Sequence, residues 1–326
     1  MKEKIITKKI LKWYDLNKRS LPWRKKLSPQ KKQYYTLVSE FMLQQTQVVT
    51  VVPYFNRFIK KIHSLKKLAN VKEKKLIKLW EGLGYYSRAR NLKKTAQVVI
   101  KKFKGKLPDN FNDLVLLPGI GHYTASAILA IAFNKPYIPL DGNIQRVLKR
   151  YLYLKKDKEI EKDSLSQKKA VFGISSRSND YAQALMELGA LICKPNNPTC
   201  YQCPISKNCK SYKKKDFNLA KSNKKNRDKY FILKVFKKNQ RYLLVKNTKF
   251  NFLKNLSIFP MDELFNPKSF NENFNFKMSN MNMNIKIQFI KNNIKLPSSY
   301  WINKKKLDSY MLPSFTKKVV RYLERN

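Results

Sequence analysis

The sequence predicts a mostly helical chain that closes with a smaller α+β domain. Three observations lead there. Residues 5–212 repeat apolar positions at the three-to-four spacing of helices. Composition shifts after Cys209, and beyond residue 229 two runs alternate apolar and polar in the manner of strands. The length, 326 residues, also suits about two domains at roughly 150 residues each.

Taken in order, Ile5, Ile6, Ile10, Leu11 and Tyr14 share one helical face. Tyr35–Tyr54 reads as a buried or amphipathic segment broken near Pro53. Leu65–Trp80 and Arg90–Phe103 continue the helical period. Phe111–Leu117 and Thr124–Phe133 read as two helices around Pro118-Gly119-Ile120-Gly121. Asp141–Tyr153 and Asn179–Cys193 complete the set, so residues 1–212 form the helical domain. Residues 213–228 (KKKDFNLAKSNKKNRD) read as a linker. In the domain over 229–326, YFILKVF and RYLLVKN flank Lys238-Asn239-Gln240 as a hairpin. Residues 271–293 hold eight asparagines with little pattern, and Leu312–Leu323 reads as a closing helix.

Charge narrows the partner. Lys and Arg number 70 against 21 Asp and Glu, a net +49. Basic surfaces gain affinity for nucleic acid by releasing phosphate counterions. Yet 58 of the 70 are lysines and 12 arginines, and the excess spreads over both halves: +29 in 1–212 and +20 in 213–326. Charge alone therefore marks no binding face. The longest apolar stretch, Thr124–Phe133, is far short of the roughly 20 residues of a membrane span, and the basic N-terminus lacks an apolar secretory core. The expected setting is a reducing, cytoplasmic one, with no membrane partner.

All four cysteines fall in one stretch, Cys193-x6-Cys200-x2-Cys203-x5-Cys209. In a reducing compartment such clustering points to metal before disulfides. Structural zinc usually pairs two short Cys loops, and only one short pair exists here. Four thiolates in one loop suit a [4Fe–4S] cluster better, with zinc and free thiols as the alternatives. Lys194, Lys207 and Lys210 would offset the cluster's charge. Upstream, Leu117–Ala125 (LPGIGHYTA) places glycines between two helices, where Gly119 and Gly121 permit a tight turn and close approach to phosphate. This is a helix-hairpin-helix pattern, which grips backbone without reading sequence.

With these motifs on the page, residues 5–212 resemble the helix-hairpin-helix, iron–sulfur DNA glycosylases, and within them the MutY-type adenine DNA glycosylase family. The resemblance runs in order through Leu21–Arg24 (LPWR), Ser39–Val48 (SEFMLQQTQV), Gly82–Asn91 (GLGYYSRARN), Leu117–Ala125, Leu140–Asn143 (LDGN), Gln183–Gly189 (QALMELG) and the cysteine loop. It implies a helical glycosylase fold with a [4Fe–4S] loop and a reduced Nudix-like C-terminal domain for lesion recognition. It implies a monofunctional, monomeric hydrolase, one chain sufficing to clamp double-stranded DNA at the bacterial nucleoid, excising adenine opposite 8-oxoguanine or guanine in base-excision repair. The endonuclease III branch carries a Schiff-base lysine where this chain has Tyr123, which disfavours a bifunctional lyase. A non-catalytic mispair binder is the other alternative, and an intact Glu40/Asp141 pair argues against it.

The chemistry assigns roles. Adenine leaves as a neutral base once N7 is protonated, and a carboxylic acid in an apolar setting stays protonated near neutral pH. Glu40, between Val38 and Phe41-Met42-Leu43, fits that need, although in isolation it would read as a surface salt-bridge residue. An oxocarbenium-like sugar then needs a second carboxylate, for which Asp141 is the candidate; it also reads as an N-cap. Tyr123 and Asn143 would hydrogen-bond this pair. By resemblance Trp23, Arg24, Gln183 and Glu187 border the adenine pocket. Gln44, Gln45 and Thr46, with Tyr85 and Tyr86, would fill the vacated stack, and Arg88 would join them in substrate binding; Arg90 is a further local charge. For Tyr85, core packing is an even alternative. His63 and His122 receive no role. In the C-terminal domain the lesion-contacting loop aligns with Asn280-Met281-Asn282, and the expected Gly-rich region reads Phe252–Leu256 (FLKNL). Those departures put partner-base selectivity in question while leaving the excision residues intact.

Overall fold

A computed structural model describes residues 4–155, 173–218, 227–265, 267, 269–278, 280–291, 296–310 and 312–325. Residues 219–226 of the expected linker lie outside the described residues. The chain divides into two compact units, Met1–Lys72 with Ser87–Ser222, and Glu73–Tyr86 with Asn223–Asn326.

The helices run α1 Ile5–Asn17, α2 Pro29–Leu43, α3 Val48–Lys61, α4 Leu65–Asn70, α5 Glu73–Trp80, α6 Tyr86–Lys102, α7 Phe111–Val115, α8 His122–Phe133, α9 Gly142–Leu152, α10 Ser178–Glu187 and α11 Lys210–Lys213. Their starts follow local chemistry. Pro29 opens α2, where a missing N–H costs nothing. Ser64 caps α4 by accepting from Lys67 N at 3.3 Å, and Asn110 caps α7 by accepting from Asp113 N at 2.9 Å. α10 continues into a π-helical turn, Leu188–Ile192.

The middle of the first unit is α8. Ala125, Ala127, Ile128, Leu129 and Ala130 are fully buried, so this helix is apolar nearly all round. It packs against α2, α7 and α10. Small alanines let the neighbouring backbones approach, and the C-terminal end of α2 meets the first turn of α8 through Glu40 and Gln44.

Three expectations change. The 35–54 segment breaks at residues 44–47, not at Pro53, which sits inside α3. Pro53 removes one intrahelical donor, but the residue four before it, Val49, is 75% exposed, so water can satisfy the freed carbonyl. The 65–80 segment divides at Val71, whose extended backbone separates α4 from α5. The expected hairpin is confined to Lys237–Lys238 pairing with Arg241–Tyr242.

The C-terminal part contains β1 Arg227–Val235, β2 Lys237–Lys238, β3 Arg241–Lys246, β4 Ser257–Ile258, β5 Met261–Leu264, β6 Phe274–Met278, β7 Met281–Phe289, β8 Ser299–Asn303 and a helix, α12, Ser314–Leu323. One sheet has the order β5-β1-β7-β6, with β1 and β7 parallel; the other joins β2, β4 and β8 to β3. YFILKVF therefore pairs with β5 and β7, while only Lys237–Lys238 pairs back onto RYLLVKN. Phe231, Tyr242, Phe259, Ile285, Phe315 and Val319 form the core between sheets and helix. The asparagine-rich 271–293 stretch holds β6 and β7: Phe274, Phe276 and Met278 alternate with exposed Asn275 and Lys277, a period-two pattern hidden by residues of low strand propensity. Among the described residues no helix is long and apolar enough to cross a membrane.

Candidate active site

Helix α6 holds the hairpin that carries the site. Thr95 Oγ1 donates to Pro118 O at 2.7 Å. Gly119 has φ +81°, and a Cβ there would stand 2.8 Å from Asn91 Cβ and 3.0 Å from Phe41 Cε1. Only glycine meets both constraints. Gly121 differs: it is the residue before α8, at φ −92°, and a Cβ would meet nothing within 4 Å. Its small size leaves an open approach to the first N–H groups of α8.

Two acids meet beside that hairpin. Glu40 is 5% exposed in the α2–α8 packing. Tyr123, in the first turn of α8, donates its hydroxyl to Glu40 Oε2 at 3.1 Å. Burial pushes the Glu40 carboxyl up to about 7; the Tyr123 hydrogen bond pulls the other way, nearby Asp141 adds to the rise, and Arg24 opposes it. Asp141 caps α9: Ile144 N donates to Oδ1 at 2.7 Å and Asn143 Nδ2 to Oδ2 at 3.0 Å. Its pKa is also raised, by burial, with those hydrogen bonds and Arg146 holding it back. The two acids thus differ in kind. Glu40 has one phenol as partner, whereas Asp141 has two donors that favour its charged form.

Asn143 is itself positioned. Its Oδ1 accepts from Arg146 Nη2 at 2.8 Å, and Arg146 also donates to Gly189 O at 2.6 Å and Cys193 O at 2.7 Å. Gly189 is required there, since a Cβ would come within 2.6 Å of Asn143 Cβ. Sequence reasoning missed Arg146, although its place three residues after Asn143 on one helix face could have revealed it.

The other expected pocket residues form an ionic group. Glu187 is fully buried, with Arg19 Nε at 2.8 Å from Oε2 and Arg24 Nη1 at 2.8 Å from Oε1. Arg19 was not foreseen; it stands just before Leu21–Arg24 (LPWR). Arg24 Nε is buried without a partner among the described residues, an orphan donor that a ligand could satisfy. Trp23 is packed edge-on against Phe55 at 5.1 Å, and Gln183 donates within its own helix to Asn179 O at 3.0 Å.

At the end of α2, Gln44 reaches Gly119 O and Thr124 Oγ1, both at 3.4 Å, while Gln45 is exposed at φ +55°. Arg88 points inward. It donates to Phe41 O at 3.2 Å, Met42 O at 2.9 Å, Thr46 Oγ1 at 3.1 Å and, closely, Gln44 O. It thereby satisfies the C-terminal carbonyls of α2 and shapes the Gln44–Thr46 turn. In the other unit, Tyr85 is 39% exposed at φ +47° and Tyr86 is buried. Met281 pairs with Met278 at the β6–β7 turn, Asn280 O accepts from Arg227 N, and Asn282 donates to Asp228 Oδ1 at 2.7 Å.

Cys193, Cys200, Cys203 and Cys209 line one cavity together with Arg150, Leu188, Ile192 and Ile205. Among the described residues no trio of His, Cys, Asp or Glu is gathered tightly enough to grip a single metal ion. Arg150 lies 3.6 Å from Cys193 Sγ and donates to Lys194 O and Pro195 O at 2.6 and 2.7 Å. Burial pushes the Cys203 thiol up to about 12 and raises Cys200 and Cys209. A soft donor set around a cavity, beside a buried cation, fits a multi-iron group; Lys194, Lys207 and Lys210 are exposed on its loop.

This hairpin, acid pair and helical frame define a class. Residues 38–169 match the model of the HhH-GPD superfamily of base excision DNA repair proteins. A solved structure, that of a thermostable thymine-DNA glycosylase, superposes with a TM-score of 0.57 at 28% identity, over 64% of this chain and 96% of that one. Among sequences, the adenine DNA glycosylase of Buchnera aphidicola subsp. Baizongia pistaciae is 42% identical over 258 residues, 77% of this chain and 72% of the relative. That of Homo sapiens is 39% identical over 213 residues, 62% of this chain and 38% of that protein. The chain belongs to the adenine DNA glycosylase family.

The two hairpin glycines have opposite tolerance. Gly119→Ala should cost about 1–3 kcal/mol from left-handed strain alone, with the contacts to Asn91 and Phe41 in addition. Gly121→Ala should shift stability by less than about 1 kcal/mol. Urea unfolding of both variants measures this, and equal losses would contradict it.

Proposed function

We propose that the chain hydrolyses the N-glycosidic bond of adenine in double-stranded DNA, as a monofunctional glycosylase of base excision repair, with 8-oxoguanine or guanine as the opposing base. The observation that carries the mechanism is the buried Glu40 carboxyl, raised to about 7 and joined to Tyr123. A group of that pKa is half protonated at neutral pH, so it can both hold and release a proton. With adenine turned out of the stack, Glu40 delivers its proton to N7 and the base departs neutral. The positive charge left on the sugar is met by the Asp141 carboxylate, whose charged form the hydrogen bonds from Ile144 N–H and Asn143 favour. Water adds at the anomeric carbon, and its released proton restores the acid. No amine takes part, since the position facing Glu40 is a phenol.

The orphan Arg24 Nε and the Glu187 group support the expected adenine pocket. Gly121 and the start of α8 suit phosphate, and the Gln44–Thr46 turn suits the space left by the flipped base; in the other unit, the exposed Tyr85 ring suits stacking on a base. Cys193, Cys200, Cys203 and Cys209 would hold a [4Fe–4S] cluster; when bound, it supplies four iron–thiolate links that fix the loop bearing Lys194, Lys207 and Lys210. We read the C-terminal strands and α12 as a Nudix-like lesion-recognition unit, supported by its mixed sheet and closing helix. One chain presents every residue of this scheme, which suits a monomer.

Adenine release from duplexes carrying A opposite 8-oxoguanine or G, followed by alkaline cleavage under single-turnover conditions, tests the reading. Glu40→Gln and Asp141→Asn should each lose at least about a hundredfold, the lower range of acid–base contributions. Asn keeps the α9 cap, so Asp141→Asn should stay folded within about 1 kcal/mol; full activity in either variant would defeat the assignment. The wild-type rate should fall as pH rises through about 7, where Glu40 loses its proton.

Stability should show the same group with the opposite benefit. Folding takes up a proton between the ordinary carboxyl value of 4.5 and about 7. The stabilisation is therefore complete below the first and is lost as pH rises through the second. Glu40→Gln removes the ionisation penalty, so at about pH 9 it should exceed wild type by about 3 kcal/mol and near pH 4 by little. Denaturant melts at the two pH values decide it. Finally, iron analysis should find iron in wild type and a marked loss in Cys203→Ser, whereas zinc in both would refute the cluster.

A further inference from the structure

Residues 73–86 group with residues 223–326 as one unit. α5 ends at Trp80, which is fully buried and donates its indole N–H to Gly84 O at 3.1 Å. Leu83 N closes onto Trp80 O at 3.1 Å. Gly82, Gly84 and Tyr85 have φ of 103°, 70° and 47°. Left-handed backbone is cheap for the glycines but strained for Tyr85, so it persists only where the surroundings impose it. The turn sends its two rings apart: Tyr86 is 6% exposed and Tyr85 39%.

The residue that starts this turn, Glu81, is held from two sides. Lys78, in the last turn of α5, lies 2.9 Å from Oε2. Lys317, on α12, lies 2.8 Å from Oε1 as an ion pair. The Glu81 and Lys317 side chains are only 15% and 19% exposed, against 48% for Lys78, so the Lys317 pair is the less screened of the two. α12 is a firm base for it. Phe315, Val319 and Val320 are fully buried, and Thr316 Oγ1 donates to Ser257 O at 2.8 Å.

We propose that Lys317 is a positioning residue: by gripping Glu81 it fixes the Gly82–Tyr86 turn and so the way Tyr85 meets DNA. The inference rests on the reading that Tyr85 enters the stack. It gives the C-terminal helix a part in partner-base discrimination separate from the β6–β7 turn. Lys78 alone cannot replace it, because a lysine three residues before Glu81 in the chain moves with it and supplies no external reference.

The test uses the full chain, duplexes with A opposite 8-oxoguanine or G, and 2-aminopurine beside the mispair to report stack opening. Lys317→Met, Lys317→Arg, Glu81→Gln and Tyr85→Leu are compared with wild type. Lys317→Met and Glu81→Gln should reduce the ratio of the two single-turnover rates about fivefold, the scale of one partly screened ion pair. They should also lower the fluorescence change while leaving affinity for undamaged duplex within about twofold. Lys317→Arg should restore both signals, which a loss of general stability would not do. Wild-type ratio and fluorescence in Lys317→Met, with both altered in Tyr85→Leu, would overturn the proposal alone. No change in Tyr85→Leu would overturn the reading of Tyr85 and the proposal with it.

Discussion

Burial of Glu40 is the constraint on which the rest of the first unit depends. A carboxyl in the α2–α8 packing is tolerable only when protonated or closely partnered, and here its pKa rises to about 7. That packing needs a helix of small apolar residues, which Ala125, Ala127 and Ala130 supply. It also needs the end of α2 to be held, which Arg88 does through the carbonyls of Phe41, Met42 and Gln44. An arginine that looks like a DNA contact in the sequence is thus occupied in shaping the turn that would meet DNA.

The same economy appears at α6. Its first turns carry Arg88 toward α2, and further along Asn91 and Thr95 hold the hairpin at Gly119 and Pro118. One helix therefore fixes both turns that flank Glu40. The acid pair divides the labour through environment: Glu40 is buried with a phenol as partner, and Asp141 sits at a helix start where backbone N–H groups favour charge. Stability and chemistry pull against each other at Glu40, because the burial that prepares a proton donor also makes its ionised form a liability.

Arginine, the scarce basic residue, is used structurally. Arg19 and Arg24 grip Glu187, Arg146 joins Asn143 to the cysteine loop, and Arg150 secures that loop at Lys194 and Pro195. Its planar fork makes several fixed hydrogen bonds at once, which a lysine cannot. The net +49 is mostly lysine, a charge that suits a polyanionic partner.

The sequence by itself determined the helical class, the glycine turn and the helix cap at Asp141, because these depend on local order; Glu40 it offered only through the family resemblance, since its immediate neighbours alone read as a helix-surface position. It also marked the strand at YFILKVF but paired it as a hairpin with RYLLVKN, whereas β1 finds β7 in parallel across some fifty residues, a choice made by the shared core. Pro53 misled for a related reason: a local breaker is tolerated where its orphan carbonyl faces water. Only the tertiary structure decided that Arg88 turns inward, that Arg19 joins Glu187, and that Lys317 reaches Glu81. Each depends on residues distant in the chain, and a charged side chain's partner is set by where burial leaves it, which periodicity does not encode.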